Sequence, residues 1–168
     1  ILNYLQEESI AYRLVEINGG KKHNAIPEDT TMKILIKNNY QLEDLKALIN
    51  NCQNIFQKEL RHNDPDVKVT LNYINNDQLN TFSKSTTITL IGLLNLLPNG
   101  VIKMSGEIPL LVETSSNVGE ILQENDLIKI TTSLRSSNNE SIESLLEMFK
   151  QLKTAFNLQF STEYSYPG

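Results

Sequence analysis

Apolar residues in this chain recur at two different spacings, and the order of those spacings fixes what it can fold into. Tyr12 to Ile17, Met32 to Lys37 and Val67 to Ile74 alternate apolar with polar, the spacing of strands with one covered face. Between the second and third of these, Leu42 to Leu60 carries apolar side chains at 42, 45, 48, 49, 52, 55, 56 and 60, a helical stripe. A central stretch, Asp77 to Leu97, reads as a helix on Leu79, Phe82, Leu90, Leu93, Leu94 and Leu97, although Thr86, Thr87 and Thr89 are weak helix formers. The first order then recurs. Leu110 to Glu113 and Leu127 to Leu134 read as strands, Ile142 to Phe156 as a helix and Leu158 to Tyr164 as a last strand. Ile1 to Glu8 reads as the end of a helix. Asn18-Gly19-Gly20, Asn63-Asp64-Pro65 and Pro98-Asn99-Gly100 punctuate the elements as turns.

This pattern predicts an α+β fold: two strand-strand-helix-strand repeats, at about 9–76 and 106–166, joined by a central helix at about 77–98. Each repeat can bury one sheet face under its helix, and two joined edge to edge hide edges that would otherwise be open. The expectation is a largely antiparallel sheet with helices mainly on one face. A start at Ile1 rather than Met, and an end at Gly168 with no tail, read as one excised domain, 1–168, of a longer protein.

Charge and composition narrow the partners. With 39% hydrophobic and 21% charged residues the chain is a folded protein rather than a disordered one. Fifteen Lys+Arg against twenty Asp+Glu leave a net charge of -5, which argues against nucleic acid as a partner. No apolar run approaches the roughly 20 residues of a membrane span. The longest, Ile88 to Leu97, is interrupted by Gly92 and Asn95. Asn recurs in pairs (Asn38-Asn39, Asn50-Asn51, Asn75-Asn76, Asn138-Asn139), which reads as solvated surface and turns.

Self-contained chemistry is not evident. A metal site needs three or four converging His, Cys, Asp or Glu ligands. His23 and His62 stand apart beside turn residues, and Glu140, Glu143 and Glu147 read as a solvated helix face. Cys52 falls in the apolar stripe of the first long helix, as a structural cysteine would. Ser115 and Ser116 have no base nearby in sequence to activate them, and Gly19-Gly20 is too short to cradle a phosphate.

Four segments, in order, carry a resemblance: NGGKKHNAIP around Asn24, LLNLLPNGV around Asn99, VETSSNVG from Val112 to Gly119, and Tyr166-Pro167-Gly168. At these spacings, and over about Tyr12 to Gly168, the chain resembles the inserted lid domain of aminoacyl-histidine dipeptidases, the Xaa-His branch of the di-zinc aminoacylase/carboxypeptidase-type metallopeptidases. The resemblance implies a cytoplasmic hydrolase in which the lid closes over a dipeptide held by a separate catalytic domain of the same polypeptide. The two zinc ions, their ligands and the general-base Glu would all lie in that catalytic domain. This chain would then hold no cofactor and no catalytic residue, and would be inactive alone. By the same resemblance Asn24, in the Asn-x-Ile-Pro turn, would face the substrate, and Arg135 would grip the dipeptide's terminal carboxylate through its bidentate fork. Ser116, Asn117 and Gly119 fall beside the cleft in the mirrored turn of the second half. Two other readings stand beside the lid: an assembly domain forming a homodimer in the same family, and a freestanding module that binds a small regulatory ligand.

Overall fold

The computed structural model describes residues 1–36, 41–74 and 79–163. Its elements, in chain order, are α1 (Leu2–Glu7), β1 (Tyr12–Gly19), β2 (Thr30–Ile36), α2 (Gln41–Leu60), α3 (Lys84–Leu96), β3 (Gly100–Met104), β4 (Val112–Glu124), β5 (Leu127–Ser136) and α4 (Asn139–Phe156). The strands form one sheet in the order β2-β1-β4-β3, with β5 also on β4. β4 runs antiparallel to β1, β3 and β5. The α+β architecture with an antiparallel sheet is therefore as expected. The chain gathers into two compact units, one of Ile1–Val15 with Lys33–Thr87, the other of Glu16–Met32 with Ile88–Gly168.

In the first unit the stripe on α2 is the core-forming feature. Its buried residues are Leu45, Leu48, Ile49 and Cys52, and α1, which α2 contacts, adds a fully buried Leu5. Ile10, Leu14 and Val15 are the other buried apolar residues before the first turn of the sheet in this unit. Glu43 and Asp44 in the first turn and Lys58 in the last complement the dipole of α2.

Residues 67–74 are not a strand, although they alternate. Gln53 on α2 explains the difference. Its Nε2 donates to the Val67 carbonyl at 2.9 Å, and its Oε1 accepts from the Val69 amide. One side-chain amide thus occupies main-chain groups that a neighbouring strand would otherwise pair. Val67 and Val69 are half-buried while Lys68 and Thr70 are exposed, so the period of two marks an extended chain with one covered side rather than a paired one.

The central helix begins later than the apolar spacing predicts. Ser83 is its cap: Oγ of Ser83 accepts from the Thr86 amide at 3.0 Å, and α3 runs on from Lys84. Phe82, expected inside the helix, instead donates its amide to the Leu14 carbonyl at 2.8 Å. Asp77, where the helix was expected to begin, lies outside the described residues.

The second unit is built on the β4–β5 hairpin. Its register runs from Thr114↔Ser136 to Glu124↔Leu127, closed by Asn125-Asp126. Asn125 takes the left-handed conformation at φ 53, which Asn tolerates better than most residues. β4 is far longer than its expected Leu110–Glu113. The Ser, Asn and Gly of residues 115–119 are poor strand formers, yet tertiary pairing holds them in the ladder. β3 was not expected, and all five of its residues are exposed.

On α4 the Asn138 side chain accepts from the Ser141 amide at 3.2 Å, and Asn157 ends the helix in the left-handed region. Past it, residues 158–163 form no strand. Phe160 stacks on Phe149 of α4, with ring centroids 6.2 Å apart. The alternation in this stretch thus records an extended segment laid against a helix.

Tyr12 supplies a stability test. Its hydroxyl is buried with no hydrogen-bond partner among the described residues, and burial raises its pKa above the ordinary 10.0. The folded chain holds this proton more tightly than the unfolded chain. Stability is therefore insensitive to this group below its unfolded pKa and falls as pH rises beyond it. Tyr12→Phe should remove the alkaline loss and leave neutral-pH stability equal, or higher by about 1 kcal/mol, because a buried unpaired hydroxyl is deleted. Urea denaturation of both proteins at neutral pH and above about pH 10 checks both outcomes.

Candidate functional site

The segment joining β1 to β2, residues 20–29, carries several polar ties within the second unit. Its ends are tied together: the Gly20 amide donates to the Asp29 carbonyl at 3.0 Å, and Lys21 pairs with Asp29 at 3.3 Å on the surface. Gly20 has φ +71, and a Cβ there would stand 1.9 Å from the Gly119 carbonyl oxygen. Only glycine fits both the turn and that approach.

Gly119 is the matching element on β4. Between Val118 and Glu120 the pairing with β5 shifts register, a bulge in the ladder. A Cβ at residue 119 would lie 2.2 Å from the His23 carbonyl oxygen, so the loop rests directly on this strand's backbone. The Val118 amide, beside the irregularity, donates to Asn99 Oδ1 at 2.9 Å.

Two side chains then hold the loop tip. Asn117 Nδ2 donates to the Ala25 carbonyl at 2.7 Å, and Ser133 Oγ donates to the His23 carbonyl at 2.6 Å. The Ala25 amide donates to the Lys22 carbonyl at 3.3 Å. Asn24, exposed, sits between the two tethered carbonyls.

Strand register places the remaining expected residues. Asn117 opposes Ser133 and Ser115 opposes Arg135, so these four occupy one face of the hairpin. Arg135 is exposed, and its guanidinium has no ion-pair or hydrogen-bond partner among the described residues. Ser116 opposes Leu134 and so lies on the other face with Thr114. There its Oγ is fully buried and has no hydrogen-bond partner among the described residues. The structure therefore gathers Asn24, Asn117 and Gly119 at one point, puts Arg135 on the same face as Asn117, and turns Ser116 away.

Three of the four quoted segments meet at the bulge: the NAIP turn, the Asn99 turn and the ETSSNVG stretch. The fourth, Tyr166-Pro167-Gly168, lies outside the described residues. Ser133 was missed because it is one of several polar residues in the alternating strand from Leu127. Its only sequence signal is that it shares the parity of Thr131 and Arg135. Asn99 was legible as a turn residue but not as the acceptor for the amide of Val118.

Chemically, an Asn amide offers both donors and an acceptor, and an unpaired guanidinium offers a bidentate seat for a carboxylate. Among the described residues, no three of His, Cys, Asp or Glu come together as metal ligands would. The described helices include none long and apolar enough to cross a membrane.

Gly119→Ala should force the loop off β4, because the added carbon overlaps a backbone oxygen that cannot rotate away. A loss of roughly 1–3 kcal/mol is expected from such overpacking, with faster proteolytic cleavage in residues 20–29. Denaturation midpoints and timed proteolysis measure the two effects.

Residues 1–64 match the family model described as the peptidase dimerisation domain. The chain is 31% identical over 161 residues to the cytosol non-specific dipeptidase of Escherichia coli (strain K12), an alignment covering 96% of this chain and 33% of that protein. The crystal structure of aminoacylhistidine dipeptidase from Vibrio alginolyticus matches with a TM-score of 0.87 at 26% identity, covering 94% of this chain and 32% of that one. The chain thus spans about a third of the length of the relatives it matches, and nearly all of it is homologous to that part of these dipeptidases.

Proposed function

We propose that this chain is the substrate-capping part of a zinc-dependent cytoplasmic dipeptidase acting on Xaa-His or a broader set of dipeptides. The observation that carries the reading is the convergence at the β4 bulge. Segments far apart in sequence meet to present Asn24, while Arg135, exposed and without an ion-pair partner among the described residues, stands on the hairpin face that holds the loop. Asn24 would hydrogen-bond the peptide or its carboxylate, and Arg135 would take the terminal carboxylate as a bidentate pair. Closing over the dipeptide, the cap would exclude water and fix the substrate's end.

The described residues do not fit a metal centre, so no step of metal chemistry is assigned to them. When bound in the remaining part of the parent protein, the two zinc ions would polarise the scissile carbonyl and activate water. This chain's own contribution is orientation. The isolated chain is accordingly expected to be inactive.

The test uses the full-length parent beside the 168-residue chain. Chelator-sensitive hydrolysis of a His-containing dipeptide by the parent, and none by the fragment, is the expected result. Absence of activity in the parent would overturn the reading. In the active parent, Arg135→Ala should weaken substrates with a free terminal carboxylate by about 1.5–3 kcal/mol, the worth of a charge-assisted hydrogen bond. It should leave carboxylate-blocked substrates unchanged. Equal kinetic constants in mutant and wild type on the free-carboxylate substrate would remove Arg135 from the site.

A second reading, assembly of two copies, has two separate supports: the dimerisation-domain match, which covers residues 1–64, and an apolar sheet edge outside that range that carries no further strand among the described residues. β3 pairs with β4, and its Val101, Ile102 and Met104 are exposed, as are Leu110 and Leu111 in the link to β4. An edge of this kind can extend its sheet into a second copy. Ile102→Lys should shift the parent toward monomer in sedimentation equilibrium. An unchanged dimer would move the interface off β3.

A further inference from the structure

We infer that Asn117 and Ser133 are positioning residues that hold the backbone on both sides of Asn24, so that substrate meets a preset amide rather than a mobile loop. The inference rests on the reading of Asn24 as substrate-facing and deepens it. Three successive peptide groups surround this residue, and each is tethered once. The carbonyl of the 23–24 group accepts from Ser133 Oγ at 2.6 Å. The amide of the 24–25 group donates to the Lys22 carbonyl at 3.3 Å. The carbonyl of the 25–26 group accepts from Asn117 Nδ2 at 2.7 Å.

With these groups held, the torsions of residue 24 have little freedom, and the Cα–Cβ direction of Asn24 is fixed relative to the hairpin. The tethers come from opposed positions, Asn117↔Ser133, one on each strand. The next pair on that face is Ser115↔Arg135. The same two strands therefore set the spacing between the loop amide and the guanidinium. A residue on a surface loop is ordinarily the least defined part of a site. Here its reference frame is a paired hairpin.

Neither positioning side chain need touch substrate for this to matter. A shift of about 1 Å in a binding group can cost as much as 100-fold in rate. Asn117 must donate, which excludes Asp at that position, since a carboxylate beside the Ala25 carbonyl would repel it. Ser133 needs only a hydroxyl, so Thr keeps the interaction.

The experiment is a kinetic double-mutant cycle in the full-length dipeptidase, with a His-containing dipeptide as the probe. Ser133→Ala and Asn117→Asp are each expected to lower kcat/KM about 10- to 100-fold, with Ser133→Thr restoring most of the loss. In an Asn24→Ala background, Ser133→Ala should have no further effect, because the two changes act through one group. Thermal unfolding of every variant separates positioning from stability. If Asn24→Ala lowers kcat/KM while Ser133→Ala and Asn117→Asp do not, the positioning role is overturned and the substrate-facing loop stands. Full additivity with Asn24→Ala, or a fall in melting temperature with kcat/KM unchanged, also overturns it. Should Asn24→Ala itself leave the kinetics unchanged, the substrate reading of the loop falls and the positioning role falls with it.

Discussion

The arrangement of the second unit depends on one close approach, the backbone of the 20–29 loop lying on the backbone of β4 at Gly119. No side chain separates the two, because a Cβ on either Gly20 or Gly119 would overlap a carbonyl oxygen of the other segment. That contact brings the His23 and Ala25 carbonyls within reach of Ser133 and Asn117, and it sits beside the amide that Asn99 accepts. Main-chain packing at this distance leaves almost no play, so the loop inherits the geometry of the sheet beneath it.

Much of the polar architecture is carried by side-chain amides acting in place of peptide groups. Gln53 takes the main chain of Val67 and Val69, and Asn138 caps α4. At the junction of β1 and β4, Asn18 Oδ1 accepts from the Gln123 amide at 2.8 Å, and Gln123 Oε1 accepts from the Ile17 amide at 3.3 Å. An Asn or Gln side chain carries a donor and an acceptor in nearly the geometry of a peptide bond, so it can satisfy backbone where no strand or helix continues. The sequence's wealth of Asn reads at first as solvated turns. In the folded chain a number of these amides, with Gln53 and Gln123, are structural ties.

The apolar spacing made α2 and α4 legible, because a buried stripe and its period are the same physical fact. Leu45, Leu48, Ile49 and Cys52 are buried where the stripe puts them, and Leu145 likewise. It misled where a period of two was equated with pairing. The stretch after Asp66 and that after Asn157 are extended and covered on one side, but their neighbours are a glutamine and a helix rather than strands. The caps at Ser83 and Asn138 were readable residue types whose effect on boundaries depends on geometry. Asn24 and Arg135 came from motif resemblance, which could not say that they would be organised by the same hairpin. Ser133 left almost no trace, since a hydroxyl that serves a carbonyl 110 positions away looks like any polar strand residue.

The β4–β5 hairpin also sets an order of assembly. Its strands meet through a two-residue connection, so its pairing is local in sequence and closes on the microsecond scale typical of hairpins. The tethers to His23 and Ala25 span 110 and 92 positions, and closing such loops costs far more chain entropy. The seat is therefore favoured to exist before its occupant arrives.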